Sequence, residues 1–375
     1  MKAKLLAIFV VASVLVMTAI SCNKKDDEMK AEDAKVEIRN SIQEINNEAF
    51  ALLAEPSVQS LAFLSQLMDI DLGKSAINKI KEQPGKIHLA KIKQALMPRN
   101  SFKSSNDFDD LNLGIYVFNF EIDDFTLVEE SESIFKVTYP ADETAYEDQE
   151  NNAELLVENI ELVVVEYTET YYDDWNNEWI TETYEEEVPV KFNATQKIDG
   201  ATTISGSYNA DLNPNGFPTG ASVSFDAAPY NITGSLSGSG QSFNTKHTSK
   251  KGATTIMGHD ININYTSDME DVEKLSGNYF LSPLKVEGSV KVKALNDLMD
   301  KYDETDKYNL KDLNAQIDLK LIQMSKGLKI GDIEFVTVSH PFGGEMPTLA
   351  IVYSDGSYDL LDEFFDFDLK SRKKR

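Results

Sequence analysis

Apolar positions follow two periods along this chain. Val36, Ile38, Ile42, Ile45, Ala49, Leu52 and Leu53 recur at spacings of three and four. That spacing draws one apolar stripe and predicts an amphipathic helix stopped by Pro56. Ser57 suits the N-cap of a second helix running through Val58, Leu61, Leu64, Leu67 and Met68. Ala62 and Phe63 widen its apolar surface, so it is expected to be buried over most of its girth. A short basic amphipathic helix is predicted from Ile87 to Leu96, ended by Pro98.

From Leu111 the period falls to two. In GIYVFNFE, Tyr116, Phe118 and Phe120 share one face, and Val117, Asn119 and Glu121 the other. SIFKVTYP continues the alternation. An acidic loop leads to the alternating ELLVENIELVVVEY, and after it YTETYYDDWNNEWITETYEEEVPVKF predicts a long hairpin closed around Asp173 to Asn177. The stretch from Ala194 to Tyr265 is rich in Gly, Ser, Thr and Asn, yet it alternates. Ile204, Gly206, Tyr208, Ala210 and Leu212 share a face, as do Ile232, Gly234 and Leu236, then Ile261, Ile263 and Tyr265. No fixed repeat length emerges, which argues against a solenoid. LKVEGSVKVKAL reads as a strand with Leu284, Val286, Val290 and Val292 on one face, followed by a short helix from about Leu295 to Tyr302. Three further strands are expected near Ile317 to Ile322, Ile333 to Val338 and Leu349 to Tyr353, with Asp355-Gly356 as a turn into LLDEFFDF.

Helices first and strands afterwards predict an α+β fold: N-terminal helices followed by a large antiparallel, curved β-sheet. The alternative is a β-sandwich with a helical cap. The expected division is residues 1–21 as a signal peptide, 22–35 as a tether, 36–98 as a helical segment and 99–375 as the β domain. Helices and sheet are expected to pack as one unit.

Charge changes the picture most in the middle of the chain. The formal net charge is −27, and between Glu121 and Glu187 there are 23 acids against a single base, Lys136. Such a surface repels nucleic acid and anionic lipid, so no nucleic-acid partner is expected. The chain closes on the opposite sign, with KSRKKR.

The first residues carry a different message. Lys2 and Lys4 precede an apolar run from Leu5 to Ile20, which is short for a membrane span and ends in AISC. Ala19 and Ser21 flank Ile20 ahead of Cys22, the only cysteine in the chain. This resembles a bacterial lipobox, in which the cysteine is lipidated (palmitate among the acyl chains) and the preceding segment is removed. A lone thiol also leaves no intramolecular disulfide, so the fold must rest on its core. Removing residues 1–21 leaves 354, and takes the charge from −27 to −29 by loss of Lys2 and Lys4. Lys24, Lys25, Asp26, Asp27 and Glu28 resemble the export signal of surface-exposed lipoproteins in one Gram-negative group. Beyond them, LAEPSVQSLAFLSQLM, GIYVFNF, IFKVTYPAD, NNAELLVENIEL and the Gly/Ser-rich strands follow an order similar to uncharacterised lipoproteins of that group. The resemblance implies a lipid-anchored protein of the outer membrane facing the periplasm or the cell exterior. It brings no catalytic residues.

Candidate chemistry is thin. The four histidines are His88, His247, His259 and His340, and no zinc-binding spacing accompanies them; His247 and His259 are placed to face each other across a hairpin. No cofactor is expected, although Asp173 and Asp174 at the hairpin turn are weak calcium candidates, as is DKYDETDKYN from Asp300. No nucleophile elbow, phosphate loop or dinucleotide fingerprint occurs, so the chain is not expected to be an enzyme. The remaining lead is the aromatic hairpin, where Tyr171, Tyr172, Trp175, Trp179 and Tyr184 lie among acids. Such rings bind glycans, peptides or proteins, or simply stabilise a ribbon by cross-strand pairing. Three functions follow: a non-enzymatic binding or structural lipoprotein, a carrier of an apolar ligand between helices and sheet, and a glycan-acting enzyme using a carboxylate pair.

Overall fold

A computed structural model describes residues 28–68, 113–173, 178–213, 218–269, 271–305, 307–339 and 345–364. The expected signal peptide, Cys22 and the helix at Ile87 to Leu96 lie outside the described residues, as do His88 and His340. The fold is α+β, as expected, with two N-terminal helices followed by a large, mostly antiparallel sheet of sixteen strands. It is not the alternative sandwich.

The N-terminal helices are α1 (Ala31–Leu53) and α2 (Pro56–Leu67). Ile38, Ile42, Ile45, Ala49, Leu52 and Leu53 are buried along α1, so the stripe is where the spacing put it. Val36 is the exception, at 54% exposed. The helix also starts five residues early. Ala31 and Ala34 are buried and extend the stripe backwards through Ile38, while Glu32 and Asp33 sit in the first turn, where acids favour the helix dipole. Residues 31–35 of the expected tether are therefore helical. Pro56 opens α2 rather than preceding it, and Ser57 lies inside the helix, because proline suits a first helical position that needs no N–H partner.

Two compact units interleave along the chain: of the described residues, 56–68 go with 113–239, and 28–55 go with 240–364. The first unit contains α2 and eight strands. These are β1 (Gly114–Asn119), β2 (Asp124–Glu130), β3 (Phe135–Tyr139), β4 (Ala153–Asp173), β5 (Glu178–Ile198), β6 (Ala201–Leu212), β7 (Pro218–Ala227) and β8 (Tyr230–Ser239). Their order is β8-β7-β6-β5-β4-β3-β1-β2. The β1–β3 pair is parallel, a departure from the all-antiparallel expectation, because β2 folds back on one edge of β1 and leaves the other for β3. A five-residue helix, α3 (Glu143–Glu147), turns within the expected acidic loop, and its Asp142 cap accepts from Ala145 N.

The alternating residues of β1 and β3 build this unit's core. Tyr116, Phe118, Val137 and Tyr139 are buried with Leu64, and Phe118 meets Phe120 and Phe125 edge-on at 5.2 Å. Helix α2 does not bury itself as its apolar girth suggested. Ser57, Ser60, Leu64 and Ser65 are its buried residues, whereas Leu61 and Phe63 are only half-buried. The reason is a polar network. Tyr139 Oη meets Ser60 Oγ at 3.1 Å and accepts from Gln196 Nε2 at 3.0 Å. Gln196 also donates to the Ser57 carbonyl, and its Oε1 accepts from Thr203. Small serines let the helix approach, and burial without partners would cost these groups their hydration.

The second unit contains α1 and strands β9 (Ser242–Lys251), β10 (Thr254–Tyr265), β11 (Val272–Leu281), β12 (Leu284–Val290), β13 (Ile317–Gln323), β14 (Leu328–Ser339), β15 (Glu345–Val352) and β16 (Tyr358–Leu360). They follow one another in chain order, every adjacent pair antiparallel. Helices α4 (Val292–Thr305) and α5 (Leu310–Asn314) connect β12 to β13, and α6 (Leu361–Phe364) follows β16. Val292 and Lys293, expected to extend β12, belong to α4 instead. Val292, Leu295, Leu298, Met299 and Tyr302 give α4 a helical stripe that outlasts the short alternation before it. Gly277 and Gly288 stand opposite each other in β11 and β12 at φ of 148° and 143°. A Cβ on Gly288 would lie 1.7 Å from the Asp318 carbonyl oxygen, so only glycine permits this crossing. Salt bridges from Glu37 to Lys326 (3.0 Å) and Glu48 to Lys251 (2.9 Å) fasten α1 to this unit.

The polar network generates a prediction. Replacing Gln196 by Leu should cost about 1–3 kcal/mol in urea unfolding, the scale for leaving buried partners unsatisfied. Burial holds the Tyr139 phenol above its ordinary value, against the pull of Ser60 and Gln196. Its contribution is full below about pH 10 and is lost as pH rises through the folded-state value. A Tyr139→Phe variant should therefore show a shallower alkaline loss of stability than the parent.

Candidate functional site

The long hairpin is the feature that nothing else in the fold requires. Strands β4 and β5 hold 21 residues each and pair from Ala153↔Ile198 to Asp173↔Glu178. Their neighbours stop far short. Strand β3 pairs with β4 only from Ala153 to Val157, and β6 pairs with β5 only from Lys191 to Ile198. Among the described residues, the remainder beyond Glu161 and Lys191 is a two-stranded ribbon, and the 12 residues of β4 from Leu162 to Asp173 would extend it by roughly 40 Å.

Local sequence explains how the ribbon leaves the sheet. The register shifts twice between Glu158 and Leu162, and Asn159 takes φ of 55°. Bulges of this kind bend a strand and increase its twist. Pro189 stands opposite Leu162, and a proline without an N–H fits a strand whose outer edge is unpaired.

Electrostatics also change at this point. Near the root two of the acids have lysines. Glu154 takes Lys136 at 2.7 Å and Lys197 at 3.5 Å, and the Lys136 hydrogen bond holds its carboxyl below the ordinary range. Glu161 pairs with Lys191. Between residues 158 and 190 there are eleven acids and no Lys, Arg or His. Glu166 stands opposite Glu185, and Glu169 opposite Glu182, placements that destabilise a strand pair on their own. Leu162, Val163, Val164 and Trp179 are exposed apolar residues on the same ribbon, Trp179 at 71%.

The register divides the aromatic cluster. Tyr172 pairs with Trp179, flanked by the Thr170↔Thr181 and Thr168↔Thr183 pairs. Tyr171 and Tyr184 occupy positions of the opposite parity, with Tyr167 opposite Tyr184. The four described residues of the five grouped by sequence thus occupy register positions of both parities. Trp175 and Asp174 lie outside the described residues. The ordering of acids into directly opposed pairs was missed from sequence, because it depends on the hairpin register, which runs unbroken from Leu162↔Pro189 to Asp173↔Glu178.

No family model, no curated protein and no solved structure matches this chain.

The other expected sites are placed as follows. His247 and His259 do face each other across β9 and β10, with ring centroids 5.6 Å apart. Ser249 Oγ lies 3.0 Å from His247 Nε2, and Thr245 Oγ1 lies 3.2 Å from His259 Nε2. Among the described residues no three His, Cys, Asp or Glu side chains converge as metal ligands. Of the five residues of the export-signal resemblance, Glu28 alone is described. It pairs with Lys329 at 3.0 Å, and Met29 N donates to the Lys329 carbonyl. A cavity of about 240 Å³ lies beside α1, lined by Ile45, Ala49, Leu52, Met257 and Leu281 and by the Glu48–Lys251 ion pair. It is smaller than the roughly 300–1,000 Å³ of common ligand pockets. Among the described residues no helix is long and apolar enough to cross a membrane.

Both tryptophans of the chain, Trp175 and Trp179, are in the hairpin, so tryptophan fluorescence reports on it selectively. Glu185→Lys converts the Glu166↔Glu185 pair to opposite charges and should stabilise the fluorescence-detected urea transition by about 0.2–1 kcal/mol. A shift to lower urea would contradict the register.

Proposed function

We propose that this protein is a cell-envelope lipoprotein, held at the outer membrane through a lipidated Cys22, whose ectodomain serves a non-enzymatic binding or structural role. The β4–β5 ribbon is its contact surface. The observation that carries this reading is the ribbon itself: two long strands leave the sheet with exposed apolar residues, and the sequence from Leu162 to Pro189 holds nine acids and no Lys, Arg or His. Isolated two-stranded hairpins are marginal in water, so a surface of this construction has its natural use in contact with another molecule. The lipobox resemblance at Ala19 to Cys22, the absence of a second cysteine, and the lysines and acids behind Cys22 support attachment and placement. Two or more acyl chains anchor a protein stably where one does not. The outward or periplasmic orientation follows from how residues 24–28 are read by the host.

Two arms test this reading. In a Gram-negative host, alkynyl-palmitate labelling and membrane fractionation should find the parent chain in the envelope and the Cys22→Ala chain unlabelled and released. On glycan and protein arrays, Trp175→Ala with Trp179→Ala should abolish binding while leaving the urea transition of the rest of the fold unchanged. Unaltered binding would remove the ribbon as the contact surface.

The cavity beside α1 favours a second, narrower reading, carriage of a small apolar ligand. Its volume of about 240 Å³ is too small for a membrane lipid and suits a ligand on the order of ten heavy atoms. Native mass spectrometry of the protein purified from its host should show a retained mass that Ala49→Leu removes. Protein free of any adduct would end that reading.

A further inference from the structure

The ribbon has edges as well as faces, and its β4 edge is unusually open. Beyond Val157, no strand among the described residues pairs with the outer side of β4. An exposed edge is a template for another strand, and proteins commonly guard it with lysine, proline, a bulge or brevity. From Leu162 to Asp173, β4 has no lysine or proline, and its register against β5 is unbroken. The β5 edge differs, because Pro189 interrupts its donors. What β4 does carry is negative charge at Glu161, Glu166, Glu169 and Asp173, backed by Glu178, Glu182 and Glu185 to Glu187 on β5.

We propose that the β4 edge accepts an extended, lysine- and arginine-rich polypeptide segment as an added antiparallel or parallel strand. This deepens the proposed function and rests on the ribbon being a contact surface. The charge chooses the occupant. A second copy of the same ribbon would set acid against acid, so edge-to-edge self-association is disfavoured, whereas a basic strand relieves the opposed Glu166↔Glu185 and Glu169↔Glu182 positions. Main-chain hydrogen bonds supply the affinity and the alternation of side chains supplies the selection, as in other strand-addition complexes. Leu162, Val163 and Val164 give such a strand apolar neighbours near the root, so the fitting segment alternates basic with β-branched residues.

The test uses the detergent-solubilised full chain and fluorescein-labelled 12-residue peptides, read by anisotropy at low and physiological salt. A Lys-Val alternating peptide should bind, and binding should weaken as salt rises. The same peptide N-methylated at alternate residues keeps its charge but loses its donors on one edge, and should bind at least tenfold more weakly. Glu166→Gln with Glu169→Gln should weaken the parent peptide at least tenfold, and a Glu-Val peptide should not bind. Equal affinity for the N-methylated peptide would mean a diffuse charge attraction without strand addition and would overturn the proposal. So would indifference to the Glu166 and Glu169 substitutions, or failure of the Lys-Val peptide to bind. If that peptide fails while the Trp175/Trp179 variant still loses its array ligand, the ribbon remains the contact surface and the edge proposal alone falls.

Discussion

A sheet face made of alternating apolar residues must be covered, and each unit of this protein is organised around meeting that demand. In the unit built on β9 to β16, the Ile38–Ile42–Ile45–Ala49 stripe of α1 is buried, and Glu37 and Glu48 pair with Lys326 and Lys251 at its borders. In the unit built on β1 to β8, the aromatic residues of β1 and β3 form the core, and the serine face of α2 reaches it through Tyr139 and Gln196. Buried hydrogen bonds add direction where apolar packing alone does not, since each lost partner is costly.

The ribbon is the place where that demand is left unmet. Its register exposes apolar residues on successive positions, Leu162, Val163 and Val164, so neither face is the inside. Its acids are paired with lysines only up to Lys191, and beyond that they oppose one another. Local conflicts of this type tend to mark functional sites, where stability is given up for another purpose. The proposed purpose here is contact with a molecule that supplies positive charge.

Much of this architecture could be read from residue periodicity. The α1 stripe, the Tyr116–Phe118 face, the Gly/Ser-rich strands and a hairpin between Tyr167 and Phe192 fall where spacing put them, because two periods dominate the chain; the hairpin strands run further, from Ala153 to Ile198. What could not be read depends on contacts distant in sequence. Val36 satisfied the stripe by number but points away from the buried face. The serines of α2 became its buried side because Tyr139, 79 residues beyond Ser60, needed a partner. Val292 changed from strand to helix because a longer stripe followed it. For the ribbon, composition disclosed its acids and aromatics, while the unbroken register from Leu162↔Pro189 to Asp173↔Glu178 decided which of them stand opposite each other.

The central claim is that the outer edge of β4 is uncovered in the isolated protein and built to be covered by something else. Amide hydrogen exchange along β4 tests it most directly. Residues 153–157 are paired on both sides and should exchange slowly throughout. From Glu161 to Asp173, the alternate amides that face away from β5 should exchange orders of magnitude faster, and should slow when a basic strand is bound. Slow exchange of those amides in the isolated chain would mean that the edge is already covered from within, and would contradict the account.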